Sequence, residues 1–432
     1  MAQTNVLRSV PARTNNEGAP ARHASPPQEL RRTVMACLLW EHSFYESGVT
    51  IVDRIKELVQ RVKPEDVASI AVEARSAMKL RHVPLLLCRE LARNRTLKAK
   101  TLTDCIQRAD EIAEFLSLYW QDGKCPLAAS VKRGLGDAFH KFDEYQLAKY
   151  DRAKIVRLRD AMFLTRPKPK DEAQAALWKR LANNELTTPD TWEVALSTGQ
   201  DKRATWERLI AEKKLGGLAL LRNLRNMKDV DVPRSTIAAA LESMRTDRIL
   251  PFRFIAASRA VPGFEDLIEP VMLRSLESAQ KLPGRTVLLV DTSPSMAAPL
   301  SAKSDLTRMD AAFGLAILAR EVCAEVEIVA FSSEVKTVPT RRGFALGDAI
   351  KAAVPSNGTL LGKAVGSVSG RYDRLIVMTD EESQDAVGKP DAEKRAYMVN
   401  VSNSRNGVGY GQWTSITGWS ESIVDYIARS ES

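Results

Sequence analysis

Three polar clusters in the last third of the chain carry residue types that hold a hard cation. Asp291-Thr292-Ser293-Pro294-Ser295 ends an apolar run, Asn357-Gly358-Thr359 sits in a short loop, and Thr379-Asp380-Glu381 ends a second apolar run. Two hydroxyls spaced i, i+2 in a tight loop can both reach one ion. A threonine from a second loop adds a third hydroxyl, and two carboxylates add charge, directly or through water. Six oxygens around a small ion is the chemistry of Mg²⁺, with Mn²⁺ or Ca²⁺ as alternatives.

Several other chemistries are excluded. The histidines are His23, His42, His82 and His140, so the clusters have no neighbouring imidazole in sequence and a His-dependent triad in the C-terminal third is ruled out. Cys37, Cys88, Cys105, Cys125 and Cys323 are scattered without a CxxC pair, which suits reduced, mostly buried thiols. The stretch Gly358 to Ala364 has the wrong spacing for a phosphate-cradling loop and lacks its final hydroxyl. A nuclease using Asp291, Asp380 and Glu381 would need carboxylates clustered around two metal ions about 4 Å apart. A hydroxyl-rich set suits a single ion better, so the chain is expected not to be an enzyme.

The clusters need a scaffold that brings distant loops to one edge. From residue 285 onward, short apolar runs alternate with helical patterns: strands at 285–291, 326–333, 374–383 and 396–402, helices at 308–323 and 345–353, a short helix to about 368, and a closing helix in SESIVDYIARS. This alternation predicts a doubly wound, mostly parallel sheet. Ligands of such folds sit at the C-terminal ends of the strands, where all three clusters fall.

Upstream the pattern differs. Residues 1–27 are polar and aperiodic and read as a flexible tail. Residues 28–282 show a succession of short amphipathic helices with no useful strand-like alternation, including patterns at 83–93, 102–120, 126–140, 151–163 and 171–183. Paired short helices joined by short turns predict an α-solenoid of HEAT-like repeats. No apolar stretch reaches the roughly 20 residues that span a bilayer. The N-terminus also lacks the apolar core of a signal peptide, so a cytoplasmic protein with no membrane partner is expected.

Charge divides at the same boundary. Residues 285–432 hold 16 Lys+Arg against 18 Asp+Glu, while residues 1–284 hold 47 against 36. Residues 130–180 alone carry 13 basic and 7 acidic side chains. A polyanion partner and a merely solubilising surface both satisfy this asymmetry.

The combination DxSxS, Thr and Asp on strand–helix alternation resembles the metal-ion-dependent adhesion site of von Willebrand factor A domains. That resemblance implies Ser293, Ser295 and Thr359 as direct ligands, with Asp291 and Asp380 acting mainly through water. It also implies an open coordination position for a partner's carboxylate. Across roughly residues 28–430, WEHSFYESG (40–48), LALLRNLRNM (218–227), RILPFRFIAASR (248–259) and GYGQW…ITGWSESIVDYI resemble the TROVE module family, which includes the Ro autoantigen and its bacterial relatives. The family implies a single-chain ring of HEAT-like helix pairs closed by the A domain. It further implies binding of small Y-like non-coding RNA on a basic outer surface and of single-stranded RNA ends in a central hole, with a role in RNA quality control or turnover. An exoribonuclease is an implied partner.

The stretch matching the family's RNA-binding helices is residues 129–160. Lys132 and Arg133 open one helix there, and Gln146, Lys149 and Tyr150 lie on the next segment. Lys149, Arg152 and Arg159 are spaced to share one helical face, which would meet phosphates along a backbone. Gln146 and Tyr150 would bond to or stack on bases. The chain departs from the animal pattern near Arg159-Asp160, where a histidine-containing turn is expected and none occurs. The rival reading is a metal-dependent protein-interaction adaptor working through the A domain.

Overall fold

The computed structural model describes Thr14, residues 25–35, 48–76, 78, 80–151, 156–187, 189–197, 199, 201–246, 249, 251–277, 281–299, 306–391, 393–402 and 407–409. Near the C-terminus it describes 413–417, 423–424, 427 and 431. The expected tail at 1–27 and the expected closing helix fall largely outside these residues, as do the 40–47 part of WEHSFYESG and Arg152. No helix among the described residues is long and apolar enough to cross a membrane.

The chain divides into two compact units. One comprises residues 37–40 and 49–278; the other comprises 279–432 together with 1–36 and 41–48.

The first unit is helical throughout its described elements. After α1 (Pro26–Met35), which belongs to the other unit, come α2 (Gly48–Arg61), α3 (Pro64–Ser76), α4 (His82–Arg93), α5 (Ala99–Cys105), α6 (Asp110–Tyr119), α7 (Ala129–Phe139), α8 (Glu144–Tyr150) and α9 (Leu158–Thr165). They are followed by α10 (Glu172–Asn183), α11 (Trp192–Ser197), α12 (Lys202–Ala211), α13 (Gly217–Lys228), α14 (Arg234–Ser243), α15 (Pro251–Ala260) and α16 (Glu265–Ser275). Helices pack both on their sequence neighbours, as α3 on α4, α11 on α12 and α15 on α16, and on the next but one, as α4 on α6, α5 on α7, α7 on α9, α12 on α14, α13 on α15 and α14 on α16. That stacking of alternate helices is how solenoid repeats bury apolar faces that no single helix pair could cover. Buried ion pairs help to set the stack; Arg75 of α3 reaches Glu111 of α6 at 2.8 Å, both side chains almost fully enclosed.

The helix expected at 102–120 is broken into α5 and α6, and the helical face expected to carry Lys149, Arg152 and Arg159 is broken between α8 and α9. Capping explains the second break. Asp143 opens α8 by accepting the Gln146 N–H at 2.8 Å, and Asp160 accepts the Arg157 N–H at 2.9 Å to open α9.

The second unit is an α/β sandwich. Its strands are β1 (Leu282–Asp291), β2 (Cys323–Phe331), β3 (Val335–Thr337), β4 (Arg374–Thr379), β5 (Arg395–Asn400) and β6 (Thr414–Thr417). They lie in the order β3-β2-β1-β4-β5-β6. Every pairing is parallel except β2 with β3. Helix α17 (Arg308–Val322) packs on β1 and β2, and α18 (Gly343–Ala353) packs on α17 and β2. On the other face α19 (Leu361–Ser367) joins a core of Val287, Leu289, Val329, Phe331, Leu375 and Val377. Because both faces of β1 are covered, its run Val287, Leu288, Leu289, Val290 is apolar on both sides.

Helix α1 departs from the expected organisation. The sequence places residues 28–35 at the start of the helical region, but the contacts group them with the sheet, where α1 packs beside β6. Burial of Leu30, Arg32, Thr33, Val34 and Met35 fixes it there.

Candidate functional site

The sheet order creates a switch point. From β1 the chain moves to β2 on one side, then crosses back to β4 on the other. Loops leaving β1 and β4 therefore diverge above adjacent strands, which opens a crevice at their C-terminal ends. Asp291 closes β1, and Asp380 directly follows β4. Both are fully buried, as is Ser293, and Ser295 and Thr359 are nearly so.

Hydrogen bonds hold the acids in place. Asp291 accepts the Ser293 N–H at 2.8 Å through one oxygen and the Thr379 hydroxyl at 2.6 Å through the other. Burial, followed by the charge of Asp380, pushes the Asp291 carboxyl up to about 7. Ser295 lies in the short turn Pro294–Ala297, and its Oγ stands 3.2 Å from that of Ser293. Thr359 reaches the crevice by bridging its rim. Its backbone exchanges hydrogen bonds with Gln384 in the loop after β4, and the next residue, Leu360, donates to Ser332 beyond β2 at 2.8 Å. The structure thus gathers Asp291, Ser293 and Ser295 at the end of β1, with Asp380 and the Thr359 loop at the ends of its two neighbours.

The donor set fits a small hard cation. Adjacent oxygens around an octahedral ion with bonds of about 2.1 Å stand about 3 Å apart, close to the spacing of the two serine hydroxyls. Among the described residues no group of three or more His, Cys, Asp or Glu could hold a metal, so a cation here would depend on hydroxyls.

Two arginines that sequence reasoning missed shape the site. Arg308, at the start of α17, donates to Asp380 at 2.9 Å, and the pair is buried. Arg32 of α1 donates to Glu381 at 2.5 Å, and the other oxygen of Glu381 accepts the Gly409 N–H at 3.1 Å. Glu381 sits at φ 60°, a left-handed conformation that helps turn the chain at this point. Its carboxylate is committed to Arg32, which weighs against a nuclease cluster with Asp291 and Asp380.

In the helical unit, Lys132 and Arg133 are exposed on α7. Lys149 and Tyr150 end α8, while Arg159 lies on α9, so the continuous stripe expected of Lys149, Arg152 and Arg159 is interrupted by the break between the two helices. Gln146 has a structural role, since its side chain accepts the Asp143 N–H at 3.1 Å to complete a capping box. Of the acids in this region, Asp137 stands 3.9 Å from Arg133 and partly offsets it, while the others are engaged elsewhere. Asp143 and Asp160 cap helices, Asp151 pairs with Arg157, and Glu144 pairs with Arg180.

Exposed aromatic rings complete the picture. Tyr145 is 51% exposed and Phe163 is 57% exposed, and both carry a cation over the ring: Lys149 at 5.7 Å and Arg159 at 5.9 Å. Arg108 covers the Tyr150 ring at 4.7 Å. Tyr145 and Phe163 escaped sequence reading because an aromatic residue in a helix usually packs inward. Their signal was adjacency to basic residues. Helix α7 packs on α9, and α10 touches both α8 and α9, which draws these segments together.

Comparison with known proteins agrees with this architecture. Residues 179–277 match the TROVE domain family model. Over 110 residues the chain is 32% identical to telomerase protein component 1 of Mus musculus, a stretch covering 24% of this chain and 4% of that much longer protein. The crystal structure of the Deinococcus radiodurans RO (RSR) protein shares the fold, with a TM-score of 0.59 at 18% identity over 94% of this chain and 100% of that one. Residues 179–277 are thus similar to a TROVE domain, and the chain shares its fold with a Ro protein.

Proposed function

We propose that this chain binds RNA without catalysing a reaction, through the basic and aromatic face of α7, α8 and α9. The observation that carries this reading is the set of exposed rings, Tyr145 and Phe163, each beneath a cation and next to exposed Lys132 and Arg133. Cations contact phosphates, and the solvent-exposed faces of such rings stack bases without regard to sequence. A small Y-like RNA is the proposed ligand of this face, and single-stranded RNA ends are a second RNA partner. A role in RNA quality control or turnover, with an exoribonuclease as protein partner, follows from the same reading.

Changing Lys132, Arg133 and Lys149 together to Glu is the direct test. RNA co-purifying with the wild-type chain is expected to be lost while the circular dichroism spectrum is retained. Undiminished RNA would remove this face from the account.

The buried oxygen cluster favours a second role, as a divalent-cation site for a protein contact. Asp291, Ser293, Ser295, Thr359 and Asp380 would hold the ion, with Mg²⁺ the best match. Bound there, it would offer a Lewis-acidic position to a partner's carboxylate. Asp291→Ala is expected to abolish stabilisation by Mg²⁺ and any partner complex that depends on it. If that complex also resists nuclease, the adaptor role stands apart from RNA binding.

A further inference from the structure

We propose that the α/β unit has a second ligand site, which takes a phosphate monoester, in an arginine-lined pocket on the outer edge of β2. The pocket arises from a short edge strand. β3 pairs only with Val329, Ala330 and Phe331, so the outer edge of β2 up to Ile328 has no strand beside it. The chain instead returns along this edge, with the Val338 N–H donating to the Ile328 carbonyl at 2.8 Å. Beside this edge, lined by β2, the returning segment, Arg285 of β1, Arg320 of α17 and Leu346 of α18, lies a cavity of about 390 Å³. Arg285, Arg320, Arg341, Thr337 and Thr340 line it, over an aliphatic floor from β2.

Charge bookkeeping leaves this pocket positive. Glu327 also lines it, but pairs with Arg285 at 2.9 Å. Nearby Glu321 is held by Arg342 at 2.6 Å, outside the lining. Among the described residues Arg320 and Arg341 have no carboxylate partner, and the buried Nε of Arg320 makes no hydrogen bond. A buried donor left unpaired is costly, and two unneutralised guanidiniums lining one pocket repel each other. A dianionic phosphate relieves both, because its oxygens match the fork of N–H groups on a guanidinium and accept from threonine hydroxyls.

The volume is in the range of small-molecule pockets and exceeds what a bare phosphate needs. The aliphatic floor suits the sugar or base attached to it. A free mononucleotide and the 5′-phosphorylated end of an RNA chain share this chemistry. The pocket is distinct from the metal loops, since Arg285 precedes Asp291 by six residues of extended strand, about 20 Å.

The test uses the full chain and two variants, Arg341→Gln and Arg320→Met/Arg341→Gln. Adenosine 5′-monophosphate is expected to raise the melting temperature beyond potassium chloride of matched ionic strength. A 5′-phosphorylated oligoribonucleotide is expected to bind more tightly than its 5′-hydroxyl twin, a comparison that cancels contacts on the helical unit. Both effects should weaken at least about tenfold in the double variant. A response to the mononucleotide alone assigns the pocket to free nucleotides; a response to the oligonucleotide alone assigns it to RNA ends. No response to either ligand, or equal responses in wild type and variants, overturns the proposal. Arg341 is exposed, so Arg341→Gln alone keeps the test decisive should the double variant not fold.

Discussion

Arg308 shows most clearly how a single residue alters the candidate metal site. Its guanidinium supplies a positive charge 2.9 Å from Asp380, in a place where burial magnifies electrostatic interactions. A divalent ion in the same crevice would be repelled by that charge and would share Asp380 with it. Arg308→Met keeps most of the side-chain volume and removes the charge. Manganese titration followed by electron paramagnetic resonance is expected to show about tenfold tighter binding in this variant, a change of about 1.4 kcal/mol. Equal or weaker binding would make Arg308 a positioning residue for Asp380 and nothing more. The five oxygen-bearing residues could be read from their spacing and their place at strand ends. Arg308 could not, because only the fold brings it to a carboxylate 72 positions away.

At the scale of elements, the break between α8 and α9 decides how the proposed RNA-binding face is built. The sequence suggests a helix at 151–163 and one shared face for Lys149, Arg152 and Arg159. Two side-chain caps, at Asp143 and Asp160, impose separate starts instead. The break places Tyr145 and Phe163 on different helices with their rings exposed. Each of Tyr145→Ala and Phe163→Ala is expected to weaken single-stranded RNA binding by about 1–3 kcal/mol if its ring stacks a base. Melting temperatures should hardly move, because exposed side chains away from caps and cores contribute within about 0.5 kcal/mol. Gln146→Ala should do the reverse. Loss of a capping-box partner costs about 1 kcal/mol of stability, with RNA affinity nearly kept. Filter binding and thermal denaturation of the same three proteins separate these roles.

For the molecule as a whole, the α/β unit depends on segments from both ends of the chain. Arg32, far upstream of the sheet, is buried against Glu381, and Glu431 is held by Arg374, Arg395 and Tyr397. Removing one partner of a buried pair leaves an uncompensated charge and costs about 3–5 kcal/mol, so Arg32→Ala should lower the melting temperature of the sheet unit. Burial works to raise the Glu431 carboxyl, but its bonds from Arg374 and Tyr397 outweigh this and leave it below the ordinary glutamate range of 4.5. The folded form therefore holds this proton less readily than the unfolded chain. Its stabilising contribution is complete above pH 4.5 and declines as the pH falls through the lower folded value. Glu431→Gln should flatten acid denaturation in that range, and an unchanged acid profile would show that the contact does not persist in solution.

Local patterns in the chain were enough to establish the two structural classes, the change of character near residue 283, the hydroxyl and carboxylate set at the strand ends, and the partition of charge. Periodicity and composition are properties of neighbours, and these features depend on neighbours alone. The assignment of α1 to the sheet, the partners of Asp380 and Glu381, the exposure of Tyr145 and Phe163, and the pocket beside β2 came only with the tertiary structure. Each of these depends on packing between residues distant in sequence, and no local pattern records which distant surface a side chain will meet.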